Sequence, residues 1–311
     1  MLAIEDLHIS FHRYNKGLDR TKLTPVHNLN LEIGVGEIMA IVGESGGGKS
    51  LLAHAVLDIL PANAETGGKI CFCGQELDRK KINKLRGRKI SLVPQSVSYL
   101  NPLLTVGRQV FRAAVVAGLS KKEAKIARDS AFDMVSLEEA SMKLYPFQLS
   151  GGMAQRVLVA MATVGGAPLI IADEPTTGLD PELLAGFLEL LRVTIDNGRA
   201  AMLITHDLNA ARKVADKIAV FAGGTIVEII NNRENLTSDK LSHPYSRALW
   251  DSLPENGFNL SEIKHTYSAR ENGNQQGCLF RGACCCDREQ CEKSIPPLMP
   301  VKHGLVRCWN A

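Results

Sequence analysis

The chain has 311 residues, 45% hydrophobic and 22% charged, which is the balance of a globular protein with room for one large domain and a smaller one. A net charge of +3, with no long basic run, leaves no nucleic-acid footprint. A membrane-spanning helix needs roughly 20 apolar residues, and the longest uncharged run, 157–172, is shorter and broken by Gly165, Gly166 and Pro168, so it reads as a core helix followed by a core strand. The start, Met1 to Asp6, lacks the basic-then-apolar layout of a signal peptide. These features predict a cytosolic chain whose membrane contact comes through a partner.

Residues 2–12 alternate, with Leu2, Ile4, Leu7, Ile9 and Phe11 apolar, which predicts a strand. Residues 13–24 are basic and polar and read as a hairpin or loop. Residues 26–33 and 37–42 read as two further strands joined by a turn at Gly34-Val35-Gly36. An aromatic near the end of the first strand, Phe11 or the competing Tyr14, can stack on an adenine ring or simply fill a rim position.

The apolar run Ile38–Val42 leads into Gly43-Glu44-Ser45-Gly46-Gly47-Gly48-Lys49-Ser50, and Leu51–Leu57 follows as a helix. Strand, glycine loop and helix are the context of a phosphate-binding loop. The glycines let successive N–H groups turn inward, and the helix start adds orphan donors and a positive dipole end. In that reading Gly43, Ser45, Gly46 and Gly48 shape the cradle, Lys49 neutralises the outer phosphates and the Ser50 hydroxyl ligates Mg²⁺. A flexible glycine loop at a strand end is the plainer alternative.

Residues 67–78 read as a short hairpin, with Cys71 and Cys73 on opposite strand faces as small buried apolar residues. Ile90–Gln95 is a strand ending in Gln95, which can reach a Mg²⁺ ion or an attacking water but alone would be a surface amide. Residues 103–145 favour helices, including Lys121–Ser136 with Ala124, Ala127, Ala131 and Val135 on one face. Ser150, Gly151 and Gly152 open the next helix, a second anion-binding arrangement of the same physical kind. Leu169–Glu174 is a buried strand ending in two carboxylates: Asp173 to hold Mg²⁺ through water, Glu174 to polarise a water for attack on the γ-phosphate. Ala201–Asp207 is a further strand, with His206 at its end to orient that water. Ligands of parallel α/β sheets gather outside the carboxyl ends of the strands, so Gln95, Glu174, His206 and the phosphate loop are expected to form one site.

In this order the motifs resemble those of ABC-transporter ATPase subunits, over roughly residues 1–250. Gly43–Ser50, Gln95, Leu149–Met153, Ile170–Glu174, Gly178–Asp180 and His206 stand where that family has its Walker A, Q-loop, signature, Walker B, D-loop and switch histidine. Leu149-Ser150-Gly151-Gly152-Met153 followed by Gln-Arg, Asn101-Pro102 after Gln95, and His243-Pro244-Tyr245 with Ser252-Leu253-Pro254 are similar to the dipeptide, oligopeptide and nickel importers. The resemblance implies an α/β fold: a P-loop NTPase core with an N-terminal antiparallel β subdomain, a helical insertion at about 100–165 and a small cysteine-rich tail. It places an ATPase domain at 1–255 and a C-terminal extension at 256–311. It further implies ATP and Mg²⁺ as cofactors and a second ATPase subunit whose Ser-Gly-Gly closes on the nucleotide. Two membrane-spanning permease subunits, an extracytoplasmic binding protein and a location on the cytoplasmic face of the inner membrane complete the implied setting.

Six of the eight cysteines fall between Cys278 and Cys308. In a cytosolic chain such clustering argues for metal ligation before disulfides. The pattern resembles the iron–sulfur tail of some peptide-importer ATPases, which implies a [4Fe-4S] cluster on Cys278, Cys284, Cys291 and Cys308. The triplet Cys284-Cys285-Cys286 leaves the second ligand open between its members. Zinc fits the spacing less well, and free thiols are the third possibility. The same tail favours peptide over nickel as cargo, while a soluble ABC-type ATPase acting on DNA or ribosomes is disfavoured by the single cassette and short helical insertion.

Overall fold

The computed structural model describes residues 1–14, 20–175, 181–196, 198–232, 236–256, 270–271, 277–278, 280, 284 and 288–311. They form two compact units that interleave along the chain.

The first unit comprises Met1, Ile33–Ile38 and Leu77–Thr205. Its centre is three parallel strands, Ile90–Val93, Leu169–Asp173 and Ala200–Thr205, with Ile90 opposite Leu169 and Leu169 opposite Ala200. Leu169–Asp173 and Ala200–Thr205 are buried at every position. Their unbroken apolar runs are what a parallel sheet covered on both faces demands. Helices Val106–Ala117 and Lys121–Met134 make up the insertion, turning at Gly118 in the left-handed region (φ +109). Ser120 and Glu123 cap the second of these reciprocally, each side chain bonding the other's backbone N–H. The helix stops at Met134, two residues short of the expected Ser136, and Ala124, Ala131 and Val135 are buried as the periodicity required.

The second unit comprises Leu2–Glu32, Met39–Glu76 and His206–Ala311. One of its sheets is antiparallel, in the order Arg270–Glu271, Arg20–Ile33, Leu2–Tyr14, Ala64–Phe72, Gln75–Glu76. The second strand begins at Arg20, inside the stretch expected to be loop. Its polar residues are the exposed face of the sheet: Lys22 and His12 both reach the Glu65 carboxylate at 2.9 Å, and their hydrogen bonds hold that carboxyl down to about 2. The other sheet sets Ile38–Val42 parallel to Lys217–Ala222, followed by the antiparallel strands Thr225–Asn231, Gly304–Val306 and Met299–Val301.

The expected hairpin is present, with Cys71 opposite Glu76 and Phe72 opposite Gln75. The burial expected of its cysteines is not. Cys71 is only half-buried, and Cys73 is exposed at the tip, where its φ of +50 belongs to the turn rather than to a strand. No described helix is long and apolar enough to cross a membrane.

Candidate active site

In the second unit the glycine loop leaves the buried strand Ile38–Val42 and enters helix Lys49–Val56. Gly43 is pressed onto the neighbouring strand: a Cβ there would stand 2.1 Å from the Phe221 carbonyl oxygen. Gly48 stands at the N-cap at φ +104, and its carbonyl accepts the Leu51 N–H at 3.0 Å. Ser45, Gly46 and Gly47 are exposed and Ser50 is half-buried. Lys49 is only 3% exposed and bends back over its own loop, donating to the Gly43 carbonyl at 2.9 Å and the Glu44 carbonyl at 2.6 Å.

His206 is exposed directly after strand Ala200–Thr205. Asp207 caps the following helix by accepting the N–H groups of Asn209 at 2.8 Å and Ala210 at 3.0 Å. Phe11 is half-buried on its strand opposite Ala64. The Tyr14 side chain, Gly178, Asp180, Cys285 and Cys286 lie outside the described residues.

The carboxylates are in the first unit. Asp173 and Glu174 are buried, Glu174 at 8% exposure, and Glu174 has a φ of +43 while its N–H donates to the Ile204 carbonyl at 2.8 Å. A left-handed non-glycine residue costs roughly 1–2 kcal/mol, and such strain recurs where a side chain must be aimed. Gln95 Nε2 donates to Glu174 Oε2 at 3.5 Å, so two of the polar strand ends are brought together within this unit. Ser150 caps helix Gly151–Thr163 through the Met153 N–H at 3.3 Å; Ser150 and Gly151 are exposed, Gly152 half-buried. Sequence reasoning passed over Gln155. It is buried and donates to the Pro175 carbonyl at 2.8 Å, tying this helix to the loop that follows Glu174. A polar residue on the apolar face of a helix was the signal for it.

The C-terminal part of the second unit is built on buried polar contacts. Glu228, 1% exposed, accepts the N–H groups of Ser242 at 2.6 Å and His243 at 3.1 Å at the start of helix Pro244–Asp251. Burial pushes its carboxyl above the ordinary range against those bonds. His243 accepts the Tyr245 N–H on Nδ1 at 3.1 Å and meets the edge of Phe280 at a centroid distance of 4.7 Å; burial pushes its pKa down to about 3, so the ring is neutral. Arg307 is buried and donates to three carbonyls: Ile226, Pro296 and Asn28, each at 3.1 Å.

Cys291 and Cys308 are buried, Cys278 and Cys284 half-buried. The Cys278 N–H donates to the Cys291 carbonyl at 2.7 Å and the Cys284 N–H to the Phe280 carbonyl at 2.9 Å. Burial raises the Cys278 thiol, a backbone hydrogen bond at Phe280 works against that, and Cys291, Cys308 and Cys284 add to the rise. Among the described residues no three His, Cys, Asp or Glu side chains are set to hold a metal ion.

A family profile described as ABC transporter matches residues 26–177, and one described as oligopeptide/dipeptide transporter, C-terminal region, matches residues 227–291. The oligopeptide transport ATP-binding protein OppD of Escherichia coli K12 is 35% identical over 99% of this chain and 92% of its own. The dipeptide transport ATP-binding protein DppD of Bacillus subtilis 168 is 34% identical over 99% and 94%. Among solved structures, the dimeric ATP-binding cassette MJ0796 in a post-hydrolysis state with ADP and phosphate superposes with a TM-score of 0.65 at 28% identity, covering 75% of this chain and 99% of that one. Cassette CbiO1 of Clostridium perfringens gives 0.61 at 29% identity, over 75% and 89%.

Proposed function

The chain belongs to the ABC transporter ATPases, in their oligopeptide/dipeptide branch, and on that premise we propose that it hydrolyses ATP to drive import of oligopeptides or dipeptides through partner membrane subunits. The observation that carries the reading is the identity of 35% with an oligopeptide transport ATP-binding protein over 99% of this chain, glycine loop and His243-Pro244-Tyr245 included. The names of the relatives support peptides over nickel chelates.

In the proposed reaction, Gly43, Ser45, Gly46, Gly48 and Lys49 bind the phosphates, and Ser50, Gln95 and Asp173 hold Mg²⁺. Glu174 orients and polarises the attacking water, His206 steadies it against the γ-phosphate, and Phe11 stacks on the adenine. When bound, Mg²⁺ held by Ser50, Gln95 and Asp173 would supply positive charge against the phosphates, beside that of Lys49. Ser150, Gly151 and Gly152 complete the nucleotide of a second ATPase subunit, and closure and release of that joint move the membrane subunits. Residues 1–255 form the ATPase domain with the helical insertion at about 100–165, and 256–311 the importer-type extension. The protein works on the cytoplasmic face of the inner membrane, with two permease subunits and an extracytoplasmic binding protein.

We also propose that Cys278, Cys284, Cys291 and Cys308 take up a [4Fe-4S] cluster; soft sulfur donors in this number, with the Cys278 N–H on the Cys291 carbonyl, support it. The cluster would supply a cross-link that orders the extension. Iron and acid-labile sulfide analysis of anaerobically purified protein decides this, and their absence overturns it. For the main reading, the assembled importer is reconstituted in vesicles with its binding protein. ATP-dependent uptake of labelled di- and oligopeptides, lost in Lys49→Ala, is the expected result; ATP hydrolysis that drives no peptide uptake overturns it.

A further inference from the structure

Gln155 is 5% exposed, on the helix that Ser150 opens. Its Nε2 donates to the Pro175 carbonyl at 2.8 Å, across 20 positions of sequence. A buried amide is costly unless it is hydrogen-bonded, and an aliphatic side chain would fill that helix face without the demand. Pro175 directly follows Glu174. A proline has no N–H by which to be anchored, and it pushes the residue before it toward extended backbone. Glu174 nevertheless stands at φ +43, in the left-handed region.

Such a conformation persists only where its surroundings over-determine it. Two bonds hold the backbone on either side. The Glu174 N–H donates to the Ile204 carbonyl at 2.8 Å, and Gln155 holds the carbonyl one residue further on. Between these points the proline ring fixes its own φ near about −65°, so few torsions are free. The direction in which the Glu174 side chain leaves follows from that backbone, and Gln95 steers its tip from 3.5 Å. At its other end Gln155 belongs to helix Gly151–Thr163, which Ser150 caps by accepting the Met153 N–H at 3.3 Å. Ser150 and Gln155 are separated by about 7.5 Å along the helix axis, at roughly 1.5 Å per residue. A helix is stiff over that length, so the two residues move together.

We propose that Gln155 is a positioning residue for Glu174. It makes the aim of that carboxylate follow the helix whose first residues complete the nucleotide of the second ATPase subunit. The proposal rests on the reading of Glu174 as the group that polarises water and of Ser150 as the contact across the subunit joint. With the helix out of place the Pro175 carbonyl is not held, the Glu174 backbone relaxes, and hydrolysis is restrained until the helix is seated.

The test measures single-turnover ATP hydrolysis and nucleotide affinity on the assembled importer, in the parent, in Gln155→Met, in Glu174→Gln and in the two substitutions together. Gln155→Met keeps the length of the side chain and removes the donor. Misplacing a reacting group by about 1 Å costs on the order of 10²-fold, so turnover is expected to fall by roughly 10- to 100-fold. Nucleotide affinity should stay parental. A residue that acts through Glu174 has nothing to add once that carboxylate is gone, so the double variant should turn over no more slowly than Glu174→Gln alone. A merely structural loss would instead multiply in both backgrounds. Should Gln155→Met fail to fold, Gln155→Asn keeps the amide one methylene short of the Pro175 carbonyl and is expected to behave in the same way. Parental turnover in a folded variant, or equal fold losses with and without Glu174→Gln, overturns the proposal. Glu174→Gln by itself separates the two levels. If it loses turnover while Gln155→Met keeps it, only the positioning fails; if it turns over like the parent, the reading of Glu174 fails and the positioning with it.

Discussion

Gln95 and Glu174, just past the ends of the paired parallel strands Ile90–Val93 and Leu169–Asp173, face each other, the amide donating to the carboxylate at 3.5 Å. That separation is the limit of a hydrogen bond, so the amide steers the carboxylate without locking it.

Glu174→Gln is expected to lower phosphate release by about 10²–10⁴-fold, the range for a lost general base, while nucleotide binding persists. Single-turnover hydrolysis beside a binding titration on the assembled importer measures both. Parental turnover in the variant would remove Glu174 from the reaction.

Gly48→Ala places a side chain at φ +104, with its Cβ 3.2 Å from the Pro25 carbonyl oxygen. The left-handed backbone alone costs roughly 1–2 kcal/mol, and the contact adds to it. The midpoint of thermal unfolding should drop and nucleotide binding should fail. Gly46→Ala is also left-handed, at φ +78, but meets nothing within 4 Å, so its loss of stability should be the smaller of the two.

Glu228 predicts a pH dependence of stability. Its folded pKa lies above the ordinary 4.5 because burial disfavours the charge. A group bound more tightly to its proton when folded contributes stability in full below pH 4.5, and that contribution is lost as pH rises through the raised value. Glu228→Gln removes the charge and keeps one acceptor oxygen for either the Ser242 or the His243 N–H, at a constant cost that does not vary with pH. Melting curves from pH 4 to 8, roughly the span over which such a group titrates, should show the variant gaining on the parent as pH rises. Parallel curves would assign no titration to Glu228.

Arg307→Lys keeps the charge but not the fork that reaches three carbonyls from three segments. At about 1 kcal/mol per lost bond the variant should be destabilised by roughly 2–3 kcal/mol. Limited proteolysis should then cut near Cys308 before the rest of the chain. A melting point equal to the parent's would mean that the ammonium recovers those bonds through water.

The strands, the glycine loop and the polar groups at strand ends were legible because each is local: an apolar run fixes a buried strand, and the residue after it must emerge at the sheet's edge. Helix Lys121–Met134 was legible for the same reason, through the spacing of Ala124, Ala131 and Val135, while its Ser120 and Glu123 cap was not read from the sequence. What escaped sequence reasoning joins distant segments. Arg307 and Asn28 are 279 positions apart, and no periodicity ties a guanidinium to that carbonyl. Cys73 was misplaced because strand propensity does not say at which residue a hairpin turns, and Cys73-Gly74 is that turn.

Strand Gly304–Val306 lies along Thr225–Asn231, with Val306 opposite Glu228 and Gly304 opposite Ile230. Thr225–Asn231 would otherwise end its sheet with unsatisfied backbone donors and acceptors on a nearly all-buried strand. Trimming the molecule before Gly304 to isolate a minimal ATPase would thus bare a template for edge-to-edge aggregation. The shortened protein should sediment as large assemblies, and adding a soluble strand-breaking charge at Ile229 should restore its dispersal.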